Sequence, residues 1–236
     1  MNSVLNVMNL TKRYGRKTAL DSISFKLPRG RIIGLLGPNG SGKTTLLKLC
    51  AGILTPSSGS LSISNMPVGP HTKSLVSYLP DRTYLSNRQT VKEQLDFFQD
   101  FYSDFDRERA EAMLENLQIN PNARFGTLSK GTKEKVQLVL VMSRRAQLYL
   151  LDEPIGGVDP AARDYILNTI VNNYDPEATV LISTHLIADV EPVLDEYLFV
   201  HNGHIIQGGV VDQVREEQGM SLDELFREVF KCLPSY

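Results

Sequence analysis

The sequence predicts an α/β fold: a mainly parallel core sheet covered by helices, joined by a small antiparallel β unit and an inserted helical region. Three observations lead there. Short, almost wholly apolar runs alternate with helix-like stretches, as in a parallel sheet buried on both faces. The residues before Arg31 instead show the partial alternation of half-exposed strands. Residues 91–145 carry apolar positions at helical spacing. The length of 236 residues, with 42% hydrophobic and 22% charged residues, suits one compact unit and excludes a disordered or collagen-like chain.

Taken in order, Val4–Leu10, Ser22–Leu27 and Ser60–Ser64 are expected to pair as the antiparallel unit. The run from Arg31 to Leu36 is the first core strand, and the stretch from Lys43 to Cys50 the helix after it. Val91, Leu95, Phe98 and Tyr102 recur at helical spacing, as do Ala110, Met113, Leu114 and Leu117, with Pro121 and Gly126 as breakers. Leu148–Leu151, Thr179–Ser183 and Tyr197–Val200 are further core strands. Asn202-Gly203, set between two apolar runs, predicts a two-residue hairpin. Leu222 to Lys231 reads as an amphipathic helix.

The formal net charge of -2 offers no general attraction to nucleic acid, and no nucleic-acid partner is expected. No run approaches the ~18 apolar residues of a membrane span, and the N-terminus lacks the basic and apolar regions of a secretory signal. A cytoplasmic location follows as the expectation. Cys50 and Cys232 stand far apart and outside any metal-binding spacing, so both are expected to be reduced structural thiols. His201 and His204 flank the hairpin turn with no third ligand nearby in sequence, which argues against a metal role for them.

Gly37-Pro38-Asn39-Gly40-Ser41-Gly42-Lys43-Thr44 matches the phosphate-binding pattern GxxxxGK[ST], between a strand-like and a helix-like run as that motif requires. Its glycines let backbone N–H groups approach phosphate oxygens, and the helix that follows turns its positive end to the same anion. Lys43 is expected on the outer phosphates and the Thr44 hydroxyl on Mg2+. About a hundred residues on, Leu148-Tyr-Leu-Leu-Asp-Glu-Pro154 is a buried strand ending in two acids. Successive strand side chains point to opposite faces, so Asp152 and Glu153 are expected to play different roles, Asp152 holding Mg2+ and Glu153 acting as general base on the attacking water. Between the two motifs, Ser129 caps a helix-like run and, with Gly131, leaves free N–H groups at a positive helix end.

Together these motifs resemble an ATP-binding cassette (ABC) ATPase over nearly the whole chain. The segments are GPNGSGKT at 37–44, LSKGT at 128–132 and LYLLDE at 148–153. They are followed by Gly156-Gly-Val-Asp159, similar to the family's D-loop, and Ile182-Ser-Thr-His185, similar to its switch-histidine loop. The resemblance implies a P-loop NTPase (RecA-like) core, with 1–236 as a single ATPase domain, a helical insertion at about 87–145 and a helical tail at about 210–236. It implies ATP as ligand, held by residues 37–44 and Thr45, with Tyr14 stacked on adenine. It implies Lys43, Glu153 and His185 as the catalytic set. It further implies a second ATPase subunit, on whose bound nucleotide Ser129 and Gly131 act in trans, and Asp159 at the seam between the two.

Two departures stand out. Asp81, at the end of Ser77-Tyr-Leu-Pro-Asp81, replaces the family's Q-loop glutamine; it is expected to keep the Mg2+ role as a carboxylate and to alter the magnesium dependence. In LSKGT, Lys130 and Thr132 replace glycine and glutamine, and Lys130 is expected to be solvated. The resemblance implies an ATPase that drives export through separate membrane permease subunits, located peripherally on the inner face of the membrane. The short C-terminus and the LSKG-type signature look more like bacterial export than import cassettes. A soluble single-cassette ATPase acting in an assembly process is the alternative, and a P-loop kinase or GTPase leaves LSKGT, DEP and His185 unexplained.

Overall fold

The structure, a computed structural model, describes residues 3–231 apart from the side chains of residues 161 and 162. Among the described residues the strands are β1 (Ser3–Tyr14), β2 (Lys17–Pro28), β3 (Ile32–Leu36), β4 (Ser58–Ile63), β5 (Met66–Pro67), β6 (Val76–Leu79), β7 (Leu148–Asp152), β8 (Thr179–Thr184), β9 (Glu196–His201) and β10 (His204–Val210). The helices are α1 (Lys43–Cys50), α2 (Val91–Phe101), α3 (Arg107–Asn116), α4 (Lys130–Met142), α5 (Pro160–Asn172), α6 (Ile187–Val190), α7 (Val211–Gln218) and α8 (Leu222–Lys231), with short 3-10 turns between some of them.

The core sheet has the order β10-β9-β3-β8-β7-β6 and is parallel except for β10, which returns antiparallel on β9. Every residue of β3, β7 and β8 is buried, which is why their centres read as continuous apolar runs rather than as alternation. The second sheet, β2-β1-β4-β5, is antiparallel throughout. Its strands are longer than the alternation suggested because bulges interrupt the register, among them one between Val7 and Leu10; each bulge shifts the exposed face by one residue. The Asn202-Gly203 hairpin forms as expected, both residues having positive φ, 46° and 79°. The sequence expectation missed β6, whose Val-Ser-Tyr-Leu is short and half polar.

The helices between β6 and β7 pack on the core. α2 begins with a capping box: the Thr90 hydroxyl accepts from the Glu93 N–H at 3.2 Å, while Glu93 accepts from the Thr90 N–H at 2.7 Å. Its buried Leu95 and Phe98 join Met113 of α3, Phe125, Leu138 of α4 and then Tyr149 and Leu151 of β7 in one continuous apolar cluster. The Arg144 guanidinium strengthens that union. It donates to both Asp104 carboxylate oxygens at 3.1 and 3.0 Å and to the Val76 and Ser74 carbonyls at 2.6 and 2.9 Å, and it lies 3.8 Å from the Tyr102 ring centre. So paired, a buried arginine is tolerated. On the opposite sheet face, Leu46, Leu47 and Leu49 of α1 share a second apolar cluster with Leu5, Val7 and Leu10 of β1.

Cys50 lies in that second cluster, where burial pushes its thiol up to about 12 and leaves it inert. Cys232 lies outside the described residues. No described helix is long and apolar enough to cross a membrane.

Candidate nucleotide site

Parallel strands end together, and the ends of β3, β7 and β8 bring the chemistry to one edge of the core sheet. From β3 the chain turns through residues 37–42 into α1, whose N-terminal cap Gly42 has φ 114°. A Cβ at Gly42 would meet the Ala19 carbonyl oxygen at 2.6 Å, so the residue's size and its backbone angle are both required. The Lys43 side chain runs back beneath the loop, its Nζ donating to the Gly37 carbonyl at 2.7 Å and to the Pro38 carbonyl at 3.2 Å. Burial lowers its pKa, while the nearby charges of Glu153 and Asp152 oppose that shift.

Asp152 closes β7, directly opposite Ser183 of β8 in the parallel register. Its Oδ1 accepts from the Ser183 hydroxyl at 2.6 Å and from the Thr44 hydroxyl at 3.0 Å. Burial raises its pKa; the two hydroxyl donors counter this, while Asp81 and Glu153 add to it. The other oxygen, Oδ2, is buried and makes no hydrogen bond of good geometry, although the Tyr78 hydroxyl stands near the carboxylate. Such an oxygen is costly unless something else satisfies it. Set beside the Thr44 hydroxyl and facing Asp81, it fits a hard divalent cation with all-oxygen ligands.

Glu153 takes φ 51°, a left-handed conformation costing a non-glycine residue on the order of 1 kcal/mol or more. Its carboxylate has partners separate from those of Asp152. Glu153 Oε1 is 3.6 Å from Lys43 Nζ, Oε2 accepts from the Thr184 hydroxyl at 3.1 Å, and both oxygens lie 3.1 Å from His185 Nδ1.

A cavity of about 620 Å³ gathers Tyr14, Asn39, Gly40, Gly42, Lys43, Thr44, Thr45, Asp81, Glu153 and His185. Tyr14 is 46% exposed, with Lys12 Nζ 5.3 Å from its ring centre, so one ring face is held by the protein and the residue is not part of the core. Gly37 and Pro38 face Lys43 through their carbonyls, and Ser41 is buried in the loop. Ser129 and Gly131 do not line this cavity. Ser129 caps α4, accepting from the Thr132 N–H at 3.2 Å. His201 and His204 join no metal cluster; among the described residues no group of three His, Cys, Asp or Glu side chains could hold a metal ion.

Several lining residues escaped sequence reasoning. Lys17 and Ala19 enter from β2; Gly156 and Gly157, expected as part of the D-loop-like segment though not on this cavity, enter from the loop after Pro154. Lys130 lines the cavity too; its side chain is 76% exposed and pairs with Glu134 at 3.7 Å, so it is solvated as expected and yet reaches the site. Ser183 and Thr184 sat inside the Ile182–His185 segment. The readable signal was that parallel strands end in register, which brings Ser183 beside Asp152.

The chain matches the family model for the ABC transporter over residues 20–156. It is 30% identical to the ABC-type transporter ATP-binding protein EcsA of Bacillus subtilis (strain 168), covering 97% of each chain. It is 31% identical to the Nod factor export ATP-binding protein I of Ralstonia nicotianae (strain ATCC BAA-1114 / GMI1000), with 98% of this chain and 74% of that protein covered. It is also 30% identical to the SkfA peptide export ATP-binding protein SkfE of Bacillus subtilis (strain 168), with 91% and 92% covered. Among solved structures, an ATP-binding subunit of an ABC transporter superposes with a TM-score of 0.86 at 30% identity, covering 97% of this chain and all of that one. A phosphate loop, an acid-terminated strand and a histidine meeting at one sheet edge, on this fold and with these relatives, have one explanation: the chain belongs to the ABC transporter family, as an ATP-binding subunit with ATPase activity.

Proposed function

We propose that this subunit drives export through separate permease subunits, acting on the inner face of the membrane with a second ATPase subunit. Relatives named for peptide export and Nod factor export favour export. Lys43 and the N–H groups of residues 39–45 hold the β- and γ-phosphates, and Tyr14 stacks on adenine. The Thr44 hydroxyl, Asp152 and Asp81 are the residues that would hold Mg2+, and the cation would supply charge neutralisation at the phosphates. Ser129 and Gly131 lie off their own chain's cavity, as an action in trans requires.

The placement of the Glu153 carboxylate carries the hydrolytic part of this reading, as the export-named relatives carry the transport part. The carboxylate faces the cavity within reach of the lysine and is steadied by Thr184 and His185. From there it accepts a proton from water as the water oxygen bonds to the γ-phosphorus and the β–γ bridging oxygen leaves with ADP.

Purification from detergent-solubilised membranes tests the partner assignment. Recovery with a polytopic membrane protein is expected. Recovery with soluble partners alone would favour the assembly-type ATPase. The Asp81→Asn variant tests the magnesium assignment: with one negative charge removed, half-maximal ATPase activity is expected at a several-fold higher Mg2+ concentration, measured as a magnesium titration at saturating ATP. An unchanged rate and titration would remove Asp81 from the cation site.

A further inference from the structure

The cavity has two walls on different sheets. Lys17 and Ala19 come from β2 and Tyr14 from β1, on the antiparallel sheet, whereas residues 39–45 follow β3 of the core sheet. One residue touches both walls through its two flanking peptide groups. At the tip of the β9–β10 hairpin, the Gly203 N–H donates to the Ser41 carbonyl inside the phosphate loop at 2.9 Å. The Gly203 carbonyl accepts from the Asp21 N–H of β2 at 3.0 Å.

The fit around this tip is close. A Cβ on Gly203 would stand 2.8 Å from the Ala19 carbonyl oxygen and 3.1 Å from Leu20 Cα, and φ 79° is itself a conformation side chains rarely adopt. Gly37 leaves no more room on the loop side, where a Cβ would stand 2.2 Å from the Val200 carbonyl oxygen of the same hairpin. The root of the hairpin is held from behind: the Phe230 ring of α8 lies edge-on to His201 at 5.4 Å and stacks on Phe226 at 3.9 Å, and both phenylalanines meet Phe199 edge-on. A backed, tightly fitted residue bonded to both walls is suited to setting the distance between them.

We infer that Gly203 is a positioning residue that fixes the spacing between the nucleoside wall and the phosphate loop, so that the turn governs how much the adenosine part of ATP adds to affinity. The inference rests on the proposed reading in which one cavity holds the whole nucleotide. Phosphate binding draws on no group of the antiparallel sheet in the proposed reading, whereas simultaneous contact with both ends of ATP requires the walls at their native separation.

Two variants test it. Gly203→Ala forces the β2 wall away from the tip, because the added Cβ meets Ala19. Asp21→Pro removes the donor to the Gly203 carbonyl and leaves the phosphate loop untouched. For each variant and the wild type, Kd is measured for ATP and for inorganic tripolyphosphate, both with Mg2+, alongside kcat at saturating ATP and the melting temperature. ATP binding is expected to weaken roughly 2- to 10-fold, the range of one lost hydrogen bond, with tripolyphosphate binding and saturating kcat unchanged. A merely structural role lowers the melting temperature and leaves the ratio of the two Kd values at its wild-type value. That outcome in a folded variant, or an equal loss for both ligands, overturns the inference alone. Equal affinity of the wild type for ATP and tripolyphosphate overturns it together with the whole-nucleotide reading. If Gly203→Ala does not fold, Asp21→Pro decides by the same ratio.

Discussion

Replacing Glu153 by glutamine is expected to lower ATP turnover by about 10²- to 10⁴-fold, the range that a positioned general base contributes, while leaving nucleotide binding intact. The amide keeps the size and the left-handed backbone of Glu153 and can still hydrogen-bond Thr184 and His185, but it no longer accepts the proton of the attacking water. Removing the carboxylate charge also leaves Lys43 without its 3.6 Å partner and free to pair with phosphate. The variant is therefore expected to hold ATP and to accumulate as an ATP-bound dimer. Phosphate release and size-exclusion chromatography with ATP measure the two effects. Full turnover in Glu153→Gln would sink the assignment of the base.

Lys43→Ala acts on the opposite side of the same ion pair and is expected to fail at binding first. It removes a charge-assisted contact to phosphate worth about 1.5–3 kcal/mol, or roughly 10- to 100-fold in Kd for ATP. It also removes the bonds that tie the side chain to the Gly37 and Pro38 carbonyls. Both acids near the cavity would then face phosphate with less cationic compensation, so the loss is expected to be larger for ATP than for ADP. Equilibrium binding of the two nucleotides measures this; equal, small losses for both would place Lys43 away from the γ-phosphate.

Lys43 and Glu153 are legible from the sequence because their chemistry is written in contiguous residues: a glycine-rich turn between a strand and a helix, and an apolar strand ending in two acids. The core strands are legible for the same reason, since β3, β7 and β8 are buried on both faces and carry no alternation to blur them. The positions that escaped are joined only through space. Lys17 and Ala19 reach the cavity because β2 runs along the edge of its sheet, and nothing in their own neighbourhood marks them. Gly203 was visible as half of a turn, yet its bonds to Ser41 and Asp21 connect residues far apart in the chain. Bulges in β1 hid the full length of the antiparallel strands by moving the exposed face partway along.

The continuous apolar cluster running from α2 and α3 through Phe125 and α4 to β7, together with Arg144 bridging Asp104, Ser74 and Val76, bears on what motion the molecule permits. The apolar side chains of the helical region belong to the same cluster as those of β7, and detaching the region would expose them to water. Shared packing of this kind favours sliding of packed layers over an open hinge. In the proposed role, a push from a permease at one end of that region would meet no internal gap to close before it reached the other end.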